Sequence, residues 1–269
     1  IVQNRLGAVH AGALDVNAAC SGFLYAFNMA SDMIRVGSVR TVLLIGSERL
    51  SSLMNWARRE SAVLFGDGAG AFVLQASADE SGYFAGKLGC VPDTRELLAI
   101  PDFGLDAIAQ YRPLDISIDF SGPEIFKHAV KGMGDACEAV LAQGGVQLHE
   151  LDLIVPHQAN LRIVEAVARR LGAGMDRVVL TLEKYANTST SSIPIALCEA
   201  LEAGRIRPGM TILFTAFGAG LTWAASLLRW GRRLDPLGTA DIELPPCEQT
   251  GLELVRAAIA RRARQQPVV

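Results

Sequence analysis

An α/β fold, with sheets covered by helices, is predicted by three features of this 269-residue sequence. Half of the residues are hydrophobic and a fifth are charged, which is typical of a chain that folds around a large core. Short apolar strands alternate with longer segments whose apolar residues recur at helical spacing, as in layered α/β proteins. One helix–turn–strand unit also occurs twice.

The repeated unit comprises residues 17–47 and 187–217, which align without a gap after a shift of 170 positions. Each copy begins with Asn and small polar residues, continues as an apolar helix, passes a turn rich in Gly or Pro, and ends in a strand. A second match, of 65–74 with 217–228, follows when about 18 extra residues are allowed in the first copy. Two unrelated helix–turn–strand units can look alike, but two matches in the same order favour a duplication.

The elements follow from periodicity and from the glycines that end helices. In the first copy we predict a helix at 20–37, a strand at 41–46 and a hairpin turn at 66–70. In the second copy we predict helices at 123–143, 160–171 and 190–203, strands at 151–155 and 177–182, and a hairpin at 211–229. Most of the counterparts of the region from 123 to 186 would precede residue 1. We therefore expect the first half to be incomplete in this chain.

Composition excludes several classes of function. Residues 208–228 carry no charge and are long enough for a membrane span, but two β-rich runs around a glycine turn favour a hairpin. A net charge of −3 argues against nucleic-acid binding driven by bulk charge. Five cysteines without C-x-x-C spacing indicate neither a disulfide framework nor a zinc site, and they fit a reducing cytoplasm.

Cys20 lies at the predicted start of an apolar helix, after Asn17. Free N–H groups and the helix dipole at that position lower the pKa of a thiol, and a nucleophilic cysteine is made in this way. A buried Cys that serves as a small hydrophobic residue is the alternative. For Cys90, Cys137, Cys198 and Cys247 we adopt that alternative.

His157 and Asn187 are the other candidates. His157 follows a strand that Pro156 ends, and sites in α/β proteins gather at this edge of the sheet, although a lone His is often structural. Asn187 precedes an apolar helix and would serve as its cap in the simplest interpretation. The repeat nevertheless places Asn187 and Cys20 at equivalent helix starts, which related halves would bring together.

Two glycine-rich segments have different interpretations. The segment 217–220 offers backbone N–H groups suited to an oxyanion hole. The segment 66–70 lacks the G-K-[ST] of a P-loop and the full G-x-G-x-x-G spacing, so we interpret it as a structural turn.

Taken together, these motifs resemble the β-ketoacyl-acyl carrier protein synthases of type III, condensing enzymes of the thiolase superfamily. The motifs are DVNAACSGF at 15–23, FGDGAGA at 65–71, VPHQANLRI at 155–163, NTS at 187–189 and AFGAGLTW at 216–223. The resemblance covers roughly 1–230. It implies a thiolase-like duplicated αβαβα fold. Its parts here would be the rest of an N-terminal half (1–80), a C-terminal half (81–230) and an extension (231–269).

The resemblance also implies a Cys–His–Asn triad of Cys20, His157 and Asn187. Cys20 would take an acyl group from acyl-CoA while the N–H groups of Cys20 and Ala219 hold the oxyanion. His157 and Asn187 would donate hydrogen bonds to the thioester carbonyl of malonyl-acyl carrier protein, stabilising the enolate left by loss of CO₂. No metal and no redox cofactor is implied. A homodimer is expected from the family.

Cations are expected to meet the acidic carrier protein and the phosphates of CoA. They are Arg59, Lys127, Arg162, Arg169 and Arg170. Each could equally belong to a solvated helix face. Residues 84–112 are expected to help form the acyl pocket, without a readable rule for chain length.

The chain departs from the family pattern in three places. The opening residues of the family are not in this chain. Glu60 follows Arg59 where many members have Gly, and Ala219 replaces a common glycine. In the extension, an amphipathic helix with Leu252, Val255 and Ile259 on one face is expected to pack on the body of the protein, with partner docking as the alternative.

Two other functions are compatible with the same residues. Thiolase-fold proteins also transfer acyl groups to oxygen or nitrogen, and release of CO₂ from a malonyl thioester would separate that reaction from condensation. A non-catalytic partner subunit is the third candidate, although such subunits usually lose one residue of the triad.

Overall fold

A computed structural model describes residues 1–92, 94–100, 117–238 and 246–265. The predicted α/β architecture is confirmed. The helices are α1 Val2–Arg5, α2 Gly22–Arg35, α3 Arg59–Ala62, α4 Gly122–Gly144, α5 Leu161–Leu171, α6 Leu182–Tyr185, α7 Ser192–Glu202 and α8 Gly251–Gln265. The strands are β1 Thr41–Arg49, β2 Asp67–Gln75, β3 Gly82–Cys90, β4 Leu98–Ala99, β5 Asp119–Phe120, β6 Leu153–Pro156, β7 Thr211–Gly218 and β8 Thr222–Arg229.

The strands of the described part form one central sheet and two strand pairs. The central sheet has the order β3-β8-β7-β6, in which only β6 and β7 run parallel. The strands β1 and β2 form an antiparallel pair, as do β4 and β5. Because β6 and β7 are parallel, both end at the same edge, where the residues after them can meet.

Two hydrophobic cores lie on opposite faces of the central sheet. On one face, α4 and α5 pack against alternate sheet residues such as Leu213 and Leu227. On the other face, α2 and α7 pack against Ile212 and Phe214, and against β1 at Leu44. The described residues therefore form four layers in the order helix, sheet, helix, sheet, with α2 and α7 sandwiched between the sheets.

The predicted repeat is present in atomic detail. A 3₁₀ turn at Ala19–Ser21 leads into α2, and an equivalent turn at Ser189–Ser191 leads into α7. The Asn side chain two residues before each turn accepts a hydrogen bond from the backbone N–H of Ala19 (3.0 Å) or Ser189 (2.8 Å). Each helix is followed by a strand that opens an antiparallel pair. The two halves thus share their local hydrogen bonding as well as their topology.

The predicted turn at 66–70 is wrong, because Asp67–Gln75 is a strand. A Cβ on Gly66 would lie 2.3 Å from the carbonyl oxygen of Tyr185, and one on Gly70 would lie 2.8 Å from Pro194 Cβ. The glycines are needed because β2 runs directly against the start of α7.

The predicted strand at 177–182 is also wrong. Residues Met175–Arg177 form a 3₁₀ turn, Val178 makes only an isolated bridge to Ile154, and α6 begins at Leu182. The apolar run of Val178 and Val179 is buried at the end of the sheet without extending it. The other predicted elements are confirmed, with boundary shifts of a few residues.

The uncharged stretch at 208–228 forms the hairpin of β7 and β8. Among the described residues, the helices are too short or too polar to cross a membrane.

The helix of the C-terminal extension lies differently from the prediction. Leu252 and Ile259 are 58% and 39% exposed, and the half-buried positions are Val255, Ala258 and Arg262. The Nη2 atom of Arg262 lies 3.4 Å from Ser117 Oγ. The helix therefore contacts the body as expected, partly through a polar group. Of the predicted face, however, Val255 is half-buried while Leu252 and Ile259 are exposed.

Candidate active site

A cavity of about 1820 Å³ opens where the two halves meet. Cys20, His157 and Asn187 all line it, together with Ala219 of the glycine turn. The two 3₁₀ turns contact each other, and the turn of Cys20 also contacts β7. The duplication therefore brings to one wall three residues that are 137 and 30 positions apart in sequence.

Cys20 is held by a strained turn. Ala19, the residue before it, has a φ of +46°, and Ser189 at the equivalent position of the second turn has a φ of +50°. Residues other than glycine adopt this conformation at a cost of about 1–2 kcal/mol, and such strain is concentrated at functional sites. The turn presents the half-buried Cys20 to the cavity just ahead of α2.

The predicted low pKa of Cys20 is wrong. Burial raises the pKa of the thiol to about 11, and the nearby carboxylate of Glu48 raises it further. Hydrogen bonds from Ser189 and from the backbone N–H of Cys20 oppose these effects only in part. Of the N–H groups in this turn, that of Cys20 itself acts on the sulfur, and desolvation of the thiolate outweighs it. The resting side chain is accordingly a thiol.

His157 follows β6, and its backbone N–H donates to Thr215 O on β7 at 2.7 Å. The side chain is 1% exposed, and its Nδ1 lies 2.6 Å from Ser192 Oγ. The Nε2 atom has no hydrogen-bond partner among the described residues. Burial lowers the pKa of the imidazole to about 4, so the ring is neutral at pH 7.

Asn187 is fixed by the first half of the chain. Its N–H donates to Leu64 O, and its carbonyl accepts from Gly66 N, both at 2.9 Å. Its Oδ1 accepts from the N–H of Ser189, so the amide NH₂ is the part of the side chain left for another partner. Asn187 therefore contributes a side-chain donor, beyond the helix-capping role that its position alone indicates.

The glycine turn after β7 lies against Cys20. A Cβ on Gly218 would lie 2.8 Å from the backbone nitrogen of Cys20, so only glycine allows this approach. Among the described residues, the N–H of Ala219 has no acceptor, and that of Cys20 has only its own sulfur. Two backbone donors at one wall are suited to an oxyanion.

The five predicted cations differ in their surroundings. Arg59, Arg162 and Arg169 are exposed. Lys127 pairs with Glu124 at 2.8 Å on its own helix. Arg170 links α5 to α4 through ion pairs with Asp135 (2.6 Å) and Glu138 (2.8 Å). Its guanidinium is therefore already engaged within the protein.

Sequence reasoning missed three side chains next to the triad. They are Ser189 beside Cys20, Ser192 beside His157, and Glu48, which accepts from Thr190 Oγ1 at 2.6 Å. The 170-residue repeat contained a signal for Ser189 alone, since it places this residue opposite Ala19, directly before Cys20. Nothing in the sequence pointed to Glu48, because its partner is 142 positions away.

Two further predictions concern the surroundings. Of the segment 84–112, expected to help form the acyl pocket, residues 93 and 101–112 lie outside the described part of the chain. Its residues Leu98, Ala99 and Ile100 line the cavity, and its strand β3 belongs to the central sheet. Within the described ranges there is no group of three or more His, Cys, Asp or Glu side chains placed to hold a metal ion.

The sequence matches two family models. Residues 14–91 match the model described as 3-oxoacyl-[acyl-carrier-protein (ACP)] synthase III, and residues 141–230 match the model of its C-terminal part. The four residues Cys20, His157, Asn187 and Ala219 fall inside these matches.

Curated relatives carry the same description. The chain is 45% identical over 270 residues to beta-ketoacyl-[acyl-carrier-protein] synthase III 2 of Vibrio cholerae, covering 98% of this chain and 74% of the relative. It is 43% identical to the synthase III of Xylella fastidiosa, covering 86% and 70%. Since the first comparison covers 98% of the chain, that similarity extends into 231–269, beyond the family-model match.

Solved structures have the same fold. The 3-oxoacyl-[acyl-carrier-protein] synthase III of Aquifex aeolicus superposes with a TM-score of 0.79 at 43% identity, over 85% of this chain and 70% of the other. The priming β-ketosynthase of the R1128 polyketide pathway gives a TM-score of 0.79 at 31% identity, over 86% and 69%.

Proposed function

Because the chain belongs to the 3-oxoacyl-[acyl-carrier-protein] synthase III family, we propose that it condenses an acyl-CoA primer with malonyl-acyl carrier protein in fatty acid biosynthesis. The observation that carries this proposal is the meeting of Cys20, His157 and Asn187 at one cavity, with the turn of Ala219 beside them. Each of them stands at the corresponding place of a motif that resembles the family.

The first half-reaction is acyl transfer to Cys20. Its sulfur attacks the thioester carbon of acyl-CoA, the carbon–sulfur bond to CoA breaks, and the thiol proton ends on the sulfur of CoA. The N–H groups of Cys20 and Ala219 would stabilise the intermediate oxyanion, since both lie at the cavity and are otherwise unpaired among the described residues. The raised pKa of the Cys20 thiol implies that proton removal accompanies attack.

The second half-reaction uses His157 and Asn187 as donors. A hydrogen bond from His157 Nε2 and another from the Asn187 amide to the malonyl thioester carbonyl stabilise the enolate as the bond to CO₂ breaks. The electron pair of that bond then forms the new carbon–carbon bond to the acyl-cysteine. The bond from the acyl carbon to Cys20 breaks, and the sulfur leaves as a thiolate that takes a proton from solvent water. A neutral imidazole suits this role, because it carries one N–H at pH 7.

Binding of the two substrates is assigned to exposed cations. Arg59, Arg162 and Arg169 are exposed and available to the phosphates of CoA and to the carrier protein. The ion pairs of Lys127 and Arg170 with neighbouring carboxylates make these two the weaker candidates.

The remaining proposals concern assembly and setting. We expect a homodimer from the resemblance to the family. A cytoplasmic location fits the five free cysteines. The proposed steps use a thiol, backbone N–H groups and two side-chain donors, so we propose that no metal or redox cofactor takes part.

Mass spectrometry after mixing the protein with acyl-CoAs of several chain lengths tests the proposal. One acyl group should appear on the peptide of Cys20 and be absent in Cys20→Ala. Cys198→Ala should still be acylated, because Cys198 lies outside the cavity and is exposed, not buried as the sequence predicted. Addition of malonyl-carrier protein should then release CO₂. An acylated Cys20 that passes its acyl group to an oxygen or nitrogen acceptor without CO₂ would support simple acyl transfer. No acyl group at any chain length would leave a non-catalytic partner subunit.

A further inference from the structure

Ser192, the first residue of α7, contacts the imidazole of His157. Its Oγ lies 2.6 Å from His157 Nδ1, and both residues are 1% exposed. No other hydrogen bond to the imidazole occurs among the described residues, since Nε2 is unpaired there. The serine hydroxyl is thus the group that decides which ring nitrogen carries the proton.

The hydroxyl has a second neighbour that sets its direction. The backbone N–H of Gln158 donates to the same Oγ, with nitrogen and oxygen 3.4 Å apart. An N–H can only donate, so the serine oxygen accepts there. Among the described residues no other acceptor lies within hydrogen-bond distance of the serine hydroxyl, so its proton is satisfied only by donation to Nδ1. Nδ1 is then an acceptor, and the single proton of the neutral ring lies on Nε2.

The Gln158 side chain keeps that N–H in place. Its Nε2 donates to Pro156 O (2.8 Å) and Val179 O (3.1 Å), and its Oε1 accepts from Thr181 N (2.9 Å). Gln158 is 1% exposed, so these bonds are shielded from water. The backbone after His157 therefore has little freedom to move away from Ser192.

The repeat shows that a helix start of this kind does not itself require a hydroxyl at the position of Ser192. The position equivalent to Ser192 in the first half is Gly22, which has no side chain to offer. The two helix starts otherwise share their 3₁₀ turn and their Asn hydrogen bond. A hydroxyl at this place is found only in the half that also carries His157.

We propose that Ser192 is a positioning residue that holds His157 in the tautomer with its proton on Nε2, ready to donate to the thioester carbonyl of the malonyl group. The donation to the malonyl thioester rests on the proposed function, whereas the assignment of the proton to Nε2 does not.

Ser192→Ala tests the proposal through the two half-reactions. Condensation with malonyl-carrier protein should fall by about 10- to 100-fold in kcat, because one donor to the developing oxyanion is no longer oriented. Acylation of Cys20 by acyl-CoA should stay within about twofold, since it does not use that donor. Ser192→Thr, which keeps the hydroxyl, should recover most of the condensation rate. If Ser192→Ala does not fold, Ser192→Cys keeps the volume with a weaker donor and should give an intermediate loss.

A ¹⁵N spectrum of histidine-labelled protein gives an independent readout. The wild type should show His157 protonated at Nε2, and Ser192→Ala should show a mixture of tautomers. Ser191→Ala is the matched control, because Ser191 is equally buried but bonds to Thr188 O, so it should leave the spectrum unchanged. A single Nε2–H tautomer in Ser192→Ala, or equal losses in both half-reactions, would overturn the proposal. A wild type that does not decarboxylate malonyl thioesters would overturn the proposed function while the spectrum still tests Ser192.

Discussion

At the scale of single residues, desolvation determines the protonation states of Cys20 and His157. Cys20 and His157 both face a cavity from a mainly apolar surrounding, which disfavours the charged form of each and shifts their pKa values in opposite directions. Thiol and imidazole consequently rest as neutral groups and do not form an ion pair. This fits a reaction in which charge appears only on the substrate oxygen.

Glu48 is expected to restrain the reactivity of Cys20. In Glu48→Gln the carboxylate charge that raises the pKa of Cys20 is gone, while an amide oxygen can still accept from Thr190. Alkylation of Cys20 by iodoacetamide at pH 8 should become about threefold faster, because more of the thiol is ionised. Glu80→Gln, at an exposed site outside the cavity, is the control. Unchanged or slower alkylation in Glu48→Gln would contradict this electrostatic role.

His157 should make stability depend on pH. Its pKa is about 4 in the folded protein against 6.5 in its ordinary state, so the unfolded chain takes up a proton first as the pH falls. The stability present above pH 6.5 is lost progressively down to about pH 4, by about 3 kcal/mol in total. Urea unfolding of His157→Gln should show a pH dependence smaller by that amount. His149→Gln, which removes an exposed histidine, should follow the wild type, and parallel curves for wild type and His157→Gln would refute the effect.

At the scale of elements, the close approach of β2 to α6 and α7 fixes Asn187. The strand begins where Gly66 donates to Asn187 O, and its glycines leave room for the chain on the other side. The backbone of Asn187 is in this way part of a contact between the two halves.

Gly66→Ala should destabilise the protein by about 1–3 kcal/mol, because its Cβ would meet the carbonyl oxygen of Tyr185, a backbone atom that cannot rotate away. Gly238→Ala is the matched control, since a Cβ at that position meets nothing within 4 Å. Chemical denaturation measures both. Equal stabilities of the two variants would contradict a close and rigid contact between β2 and the segment 185–188.

The elements also show how far sequence reasoning reaches. Periodicity predicted α2, α4, α5 and α7, because each has a buried face. The last hairpin was predicted from two β-rich runs around a glycine turn, and its strand β7 is buried throughout. The sequence predicted a turn at 66–70, since glycine-rich segments are usually turns. The glycines there are instead part of or next to a strand, where a Cβ would overlap atoms of residues more than 100 positions away. The meeting of Cys20, His157 and Asn187 at one cavity was predictable from motif and repeat. Ser192 and Glu48 were not, because their roles depend on which side chains the fold brings next to them.

At the scale of the whole molecule, duplication explains the site. The two related helix starts lie against each other, and the two halves contribute different side chains to the cavity. The first half contributes the thiol of Cys20, and the second contributes His157 and Asn187. The extension beyond residue 230 is connected to this body through Arg262 and Ser117, next to the segment of Ile118 and Phe120 that lines the cavity.

The most direct test of condensation at this cavity is a single turnover of protein acylated at Cys20 with malonyl-carrier protein. CO₂ and 3-oxoacyl-carrier protein should form in equal amounts. The variants His157→Ala and Asn187→Ala should accept the acyl group on Cys20 yet form product at least about 100-fold more slowly. Product without CO₂, or product at the wild-type rate in both variants, would contradict the assigned roles.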